Sequence, residues 1–179
     1  MQANTQYEAS ALPAQFHAQA TTLDAACLGY DQIPDLIALQ DKCRQDNPAA
    51  LIPRTHEDYK NAMHAGHRHF GIFHNGRLIA HTRIGPDKAD AADPEHEAAL
   101  CAVMVDPGWR GYKLAHMLIQ LGIQHAQDMG YINLNTRVHP DNTPMWTTFQ
   151  KHGFIYDQLA KSHERPAEPD CLVDHYKRR

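Results

Sequence analysis

Apolar and polar positions divide the chain into short runs whose period keeps changing. A strand-like stretch between Thr21 and Tyr30 is followed by IPDLIALQDKC, where Ile33, Leu36 and Ile37, with Ala38 and Leu39 alongside, share a helical face and Pro34 sits early in the helix. THEDYKNAMHAG opens on Thr55 with Asp58 three residues on, a capping-box start, and stops at Gly66, which predicts a second short helix. HFGIFHNGRLIAHTRI places two strand-like runs around Asn75-Gly76, a pair suited to a tight hairpin turn. AALCAVMV is a continuous apolar run of strand length, the pattern of a central strand buried on both faces. KLAHMLIQLGIQHAQDMG then repeats Leu114, Leu118 and Leu121 on to Met129, with Ala115, Ile119 and Ala126 beside them and Gly130 at the end.

In YINLNTRV, Ile132, Leu134, Thr136 and Val138 alternate as in a strand. DNTPMWTTFQKHGF reads as a short helix begun by Asn142 or Thr143, with Pro144 in its first turn and Gly153 closing it. FIYDQLA and CLVDHYK supply closing strands. The predicted order is β-α-α-β-β-β-α-β-α-β-β, a mixed α/β sheet with helices on its faces.

Length and charge narrow the function. The 179 residues suit one domain, read as residues 21–179, and the Ala- and Gln-rich residues 1–20 read as an N-terminal extension. A net charge of −4 offers no general attraction for nucleic acid, although fourteen histidines let the charge climb below about pH 6.5. Cys27, Cys43, Cys101 and Cys171 form no CxxC pair, which fits reduced thiols in a cytoplasm. There is neither a signal-peptide pattern nor an apolar run of membrane length, so no membrane partner is expected. The loop GPDKADAADPEHE sets Asp87, Asp90, Asp93, Glu95 and Glu97 against Lys88 and reads as solvated. His64, His67, His69 and His74 crowd one region, but exposed histidines explain them more simply than a metal site, with His67 and His69 on one side of a strand start.

The stretch VDPGWRGYKLA, residues 105–115, carries the most specific chemistry. A strand that turns straight into a helix aims unpaired N–H groups and the positive end of the helix dipole at one spot, where an anion binds. The loop is neither GxxxxGK[ST] nor GxGxxG, since only Gly108 and Gly111 are available.

The run CAVMVDPGWRGYKLAHMLI resembles the acyl-CoA-binding segment of the GNAT acetyltransferase superfamily through Val105, Pro107, Arg110, Gly111, Leu114, Ala115 and Leu118. The resemblance continues through INLNTRV and a segment from Asn142 to Lys151-His152-Gly153-Phe154 that is similar to the family's N-x-x-A-…-Y-x-K-x-G-F. It covers residues 97–154 by motif and 30–84 by element order. It implies a mostly antiparallel central sheet flanked by helices on both faces, and acetyl-CoA as co-substrate. It also implies cofactor contacts from Val103, Met104, Val105, Arg110, Gly111, Tyr112, Lys113, Leu114, Ala115, Asn142 and Phe149.

By the same resemblance the oxyanion donor is a backbone N–H between Cys101 and Val105, with Met104 and Val105 favoured. E-x-x-x-C-A-V makes Glu97 the candidate general base, as in the histone-type branch. The chain departs from the pattern at Gly108, where Gln or Arg would stand, at Lys113, where Gly or Ala would, and at Phe149, where many members carry a tyrosine acid. Tyr112 and Tyr156 are the nearest hydroxyl substitutes by sequence, and Tyr156 is the candidate acid.

The implied activity is acetyl transfer to a primary amine by direct attack in a ternary complex. The alternatives are a catalytically silent acyl-CoA-binding module and transfer of a longer acyl chain. The acceptor is a small-molecule or peptide amine, cationic if the acidic loop borders its entrance, and a homodimer is compatible with this reading.

Overall fold

A computed structural model describes residues 23–46, 51–87, 96–139, 142–161 and 172–178, with the strand path alone for 157–161 and 172–178. Residues 1–20, Lys88, Asp90, Asp93, Glu95 and Cys171 lie outside the described residues. The strands are β1 (Leu23–Cys27), β2 (Arg68–His74), β3 (Arg77–Pro86), β4 (Glu97–Val105), β5 (Asn133–Val138), β6 (Ile155–Lys161) and β7 (Leu172–Arg178). The helices are α1 (Ile33–Asp46), α2 (His56–His64), α3 (Leu114–Asp128) and α4 (Thr143–Lys151). Their order is the one the hydrophobic pattern predicts.

Local chemistry accounts for the boundaries. Thr55 Oγ1 accepts from the Asp58 amide at 3.2 Å while Asp58 Oδ2 accepts from the Thr55 amide at 2.7 Å, closing the capping box that starts α2. Asn75 and Gly76 both take positive φ, +49° and +76°, so the β2–β3 turn twists with its strands.

The seven strands form one sheet in the order β1-β2-β3-β4-β5-β7-β6. Neighbours are antiparallel except β4 and β5, which run parallel and are joined by the crossover helix α3. Leu36, Leu39, Cys43 and Tyr59 from α1 and α2 pack with Leu78 and Met104 on one face. Ile119, Ile123 and Phe149 from α3 and α4 pack with Ile84, Leu100 and Leu134 on the other.

Several expectations change in three dimensions. Glu97 to Leu100 are buried, but Cys101, Ala102, Val103 and Val105 are only half-buried, so β4 is not a strand covered on both faces along its length. Met129 and Ile132 continue the apolar patterns in sequence yet are 60 % and 65 % exposed, because α3 ends at Asp128 and β5 begins at Asn133. His69 is fully buried rather than exposed beside His67, since its strand position faces the layer of α1 and α2. Asp87 is buried too, and leaves the solvated loop to which its sequence neighbours assign it.

Candidate active site

The exposure of the second half of β4 has a geometric cause. β4 and β5 are paired only where Glu97, Ala98 and Ala99 meet Asn133, Leu134 and Asn135, and beyond Ala99 the ladder stops. The strands diverge there around a cleft of about 800 Å³. Val103, Met104 and Val105 line one wall, and His139, Asn142, Met145 and Thr148 line the other.

The end of the cleft is the loop after β4. Pro107–Trp109 form a tight 3₁₀ turn begun by Asp106, whose Oδ1 accepts from the Gly108 amide at 2.9 Å. Gly111 and Lys113 then take φ of +84° and +60°, and α3 starts at Leu114. Lys113 is therefore in the left-handed region that glycine enters freely and a residue with a Cβ enters at a cost. Arg110, Gly111, Lys113, Leu114, Ala115 and His116 all line the cleft, and the first N–H groups of α3 have no partner within the helix. Such N–H groups at the end of a groove are an arrangement that favours an anion, and Arg110 and Lys113 stand on its rim.

Helix α1 straps this loop from behind. Buried Asp106 accepts from Lys42 Nζ at 2.8 Å and pairs with Arg77, while Arg110 pairs with Asp46. Burial alone would raise the Asp106 carboxyl, but Lys42, the Gly108 amide and Arg77 together hold it below the usual carboxylate range. The loop is thus fixed to α1 and β3 before any ligand arrives.

Cys43 of α1 also lines the cleft, its Sγ 3.3 Å from the Val105 carbonyl. Burial pushes its thiol up to about 11, against the opposing pull of Arg110, so it stays protonated at neutral pH and is a poor nucleophile.

Glu97 begins β4 and is buried at 7 % exposure. Asn135 Nδ2 donates to Glu97 at 2.9 Å and to Asp87 at 3.1 Å, and Arg137 donates to both Asp87 oxygens at 3.1 Å. Glu97 thus belongs to a hydrogen-bonded cluster of two acids, an amide and a guanidinium. Along the extended strand it lies four residues from Cys101, about 13 Å, and alternation puts both on one face.

Of the residues expected to touch a cofactor, Val103, Met104, Val105, Arg110, Gly111, Lys113, Leu114, Ala115 and Asn142 line the cleft. Tyr112 does not; it is 41 % exposed, with its ring against Trp109. Phe149 points into the core, edge-on to Phe154 with ring centres 5.0 Å apart. Tyr156 is 52 % exposed on β6, the edge strand two places beyond β5, and is not brought to the cleft. The sequence reading missed Cys43, Leu51, Trp109, His116, His139, Pro144, Met145 and Thr148 as lining residues. Helical spacing alone points to three of these, since Met145 and Thr148 follow Asn142 by three and six and His116 follows Lys113 by three.

Comparison with known proteins agrees with this geometry. Residues 33–154 match the model of the acetyltransferase (GNAT) family. No curated protein sequence matches the chain. Among solved structures, an N-acetyltransferase from Staphylococcus aureus Mu50 is similar with a TM-score of 0.72 at 17 % identity, over 88 % of this chain and 98 % of its own. The Salmonella typhimurium protein yncA, whose structure carries its cofactor acetyl-CoA, aligns with a TM-score of 0.73 at 11 % identity over 89 % and 94 % of the two chains. The ribosomal-protein-S18-alanine N-acetyltransferase of Escherichia coli gives 0.67 at 16 % identity over 87 % and 91 %. At these identities the structures establish a shared fold, while the family match spans most of the chain and includes both the splayed strands and the loop before α3. The chain belongs to the GNAT acetyltransferase family.

Proposed function

We propose that the protein is an acetyl-CoA-dependent N-acetyltransferase that passes the acetyl group to a primary amine by direct attack in a ternary complex. The observation that carries this reading is the continuous groove from the splayed half of β4 to the left-handed loop at the start of α3. The pyrophosphate of CoA lies on the N–H groups of that loop, with Arg110 and Lys113 beside it. The pantetheine arm runs between β4 and β5 past Asn142, and the thioester reaches the unpaired part of β4. There a backbone N–H between Cys101 and Val105, Met104 or Val105 foremost, donates to the carbonyl oxygen as it gains charge.

Glu97, on the same strand face as half-buried Cys101, takes the proton released by the acceptor ammonium through water. The neutral amine nitrogen then bonds to the thioester carbon, the C–S bond breaks with its electron pair on sulfur, and the extra proton now on the nitrogen passes through water to the departing CoA thiolate, leaving a neutral amide and CoA thiol. Cys43, held as a thiol, supports direct transfer over an acyl-enzyme.

One observation favours a silent acyl-CoA-binding module instead: Phe149, with no hydroxyl, is buried where many relatives carry the acid. Calorimetry with acetyl-CoA tests the shared part of both readings, and no binding at millimolar ligand overturns them. Thiol release across polyamines, amino acids, aminoglycosides and peptide amines separates them, since one productive amine excludes the silent module. Comparing acyl-CoA lengths tests acetyl against longer chains.

A further inference from the structure

A pair of histidines joins α3 to α4 beside the cleft. His116, in the first turn of α3, lines the cleft, and its Nδ1 is 3.0 Å from Nε2 of His152, the residue at the C-terminal cap of α4. Their ring centres are 5.1 Å apart. On α4, Met145 and Thr148 line the cleft, and Lys151 and His152 follow Thr148 by three and four residues, which puts them along the same side of the helix. Lys113, three residues before His116, lines the cleft as well.

The two sides of the loop before α3 differ in charge balance. Toward α1, Lys42 and Arg77 meet Asp106, and Arg110 meets Asp46. Toward α4, Lys113 and Lys151 pair with no carboxylate among the described residues, and the first turn of α3 contains no acid. Burial above all, then Lys151 and Lys113, lowers the His116 imidazole, in keeping with a field that no acid offsets. The α4 side is therefore short of negative charge.

With Nδ1 turned to His152, Nε2 is the nitrogen that the His116 ring offers to the cleft. As an N–H it donates to an anion while His152 donates to Nδ1, so the pair meets a negative group without an added proton. In the acetyl-CoA reading the pyrophosphate lies on the N–H groups of the loop. CoA has one further phosphate, a 3′-phosphomonoester with about two negative charges at neutral pH, separated from the pyrophosphate by a single ribose. His116 lies about 4.5 Å along the helix axis from Lys113, a step of that order.

We propose that His116 and Lys151, with His152 behind the imidazole, form a subsite for the 3′-phosphate of CoA. The subsite separates CoA from its dephosphorylated form. It rests on the acetyl-CoA reading and deepens it, and no acceptor is needed to test it.

CoA and dephospho-CoA differ only in that phosphate, so calorimetry with each isolates the subsite. Wild-type protein is expected to bind CoA about tenfold more tightly, by a margin that shrinks in high salt. His116→Ala and Lys151→Ala should each lower the preference to about threefold by weakening CoA alone, with dephospho-CoA affinity unchanged. Lys151 is exposed at the end of α4, so its variant leaves the core intact and reads the subsite even if the change at His116 disturbs α3. Equal binding of the two ligands by the wild type, a preference that survives in both variants, or an equal loss for both ligands overturns the proposal while the cofactor reading stands. Failure of the wild type to bind either ligand overturns both.

Discussion

Lys113→Gly separates the two things Lys113 does. Its backbone holds φ 60° and ψ 17° at the residue before α3, where a Cβ costs about 1–2 kcal/mol. Glycine relieves that strain but adds freedom to the unfolded chain, which offsets about 0.4–1 kcal/mol. The expected net gain is about 0.5–1 kcal/mol, or a rise in thermal midpoint of about 1–4 °C for a chain of this length.

The same change removes an ammonium from the rim of the cleft. One exposed ammonium–phosphate contact contributes about 0.2–1 kcal/mol, so acetyl-CoA affinity should fall by a factor of about 1.4 to 5, with a smaller difference in high salt. Thermal unfolding without ligand and calorimetry at two salt concentrations read the two effects separately. A lower midpoint refutes the strain; unchanged or tighter binding shows that the backbone N–H alone meets the anion.

Three further outcomes are expected. His69 is neutral in the folded protein down to about pH 3 but protonates near 6.5 when unfolded, so the stability it contributes above 6.5 is lost as pH falls from 6.5 toward 3. At pH 5 that loss is about 2 kcal/mol from His69, with His81 acting in the same direction, and urea midpoints that agree at pH 7.5 and 5 would sink the idea. Phe149→Tyr puts a hydroxyl into an apolar cluster away from the cleft; it should destabilise by about 1–3 kcal/mol without speeding thiol release, and a faster variant would show that the position reaches the leaving thiolate. Glu97→Gln should lower kcat about 100-fold or more with acetyl-CoA affinity unchanged, measured on the amine that turns over best, and an undiminished kcat removes Glu97 from the reaction.

Much of the cleft was legible because its parts are contiguous. Val103–Val105, the loop and the start of α3 follow one another, and the chemistry of a strand turning into a helix is local. Asn142 was placed by the family resemblance, while its position before a helix with Pro144 in the first turn fixed only where that helix starts. Cys43 and Leu51 could not, since they reach the cleft only because α1 and the segment after it lie across the end of β4. Asp87 was misread for a similar reason: a loop acid looks solvated until Arg137 and Asn135, about fifty residues away, are folded beside it.

By itself the sequence determined the elements, their order and the tight loop that turns β4 into α3. Periodicity, caps and turn residues act over a few positions and need no partner from elsewhere. Tertiary structure alone decided where the β4–β5 ladder stops, that β4 bulges at Ala102, and that His69 stacks on His81. Those features depend on strand register, which is set by contacts between segments distant in the chain, and a single-residue shift in register changes which groups face one another.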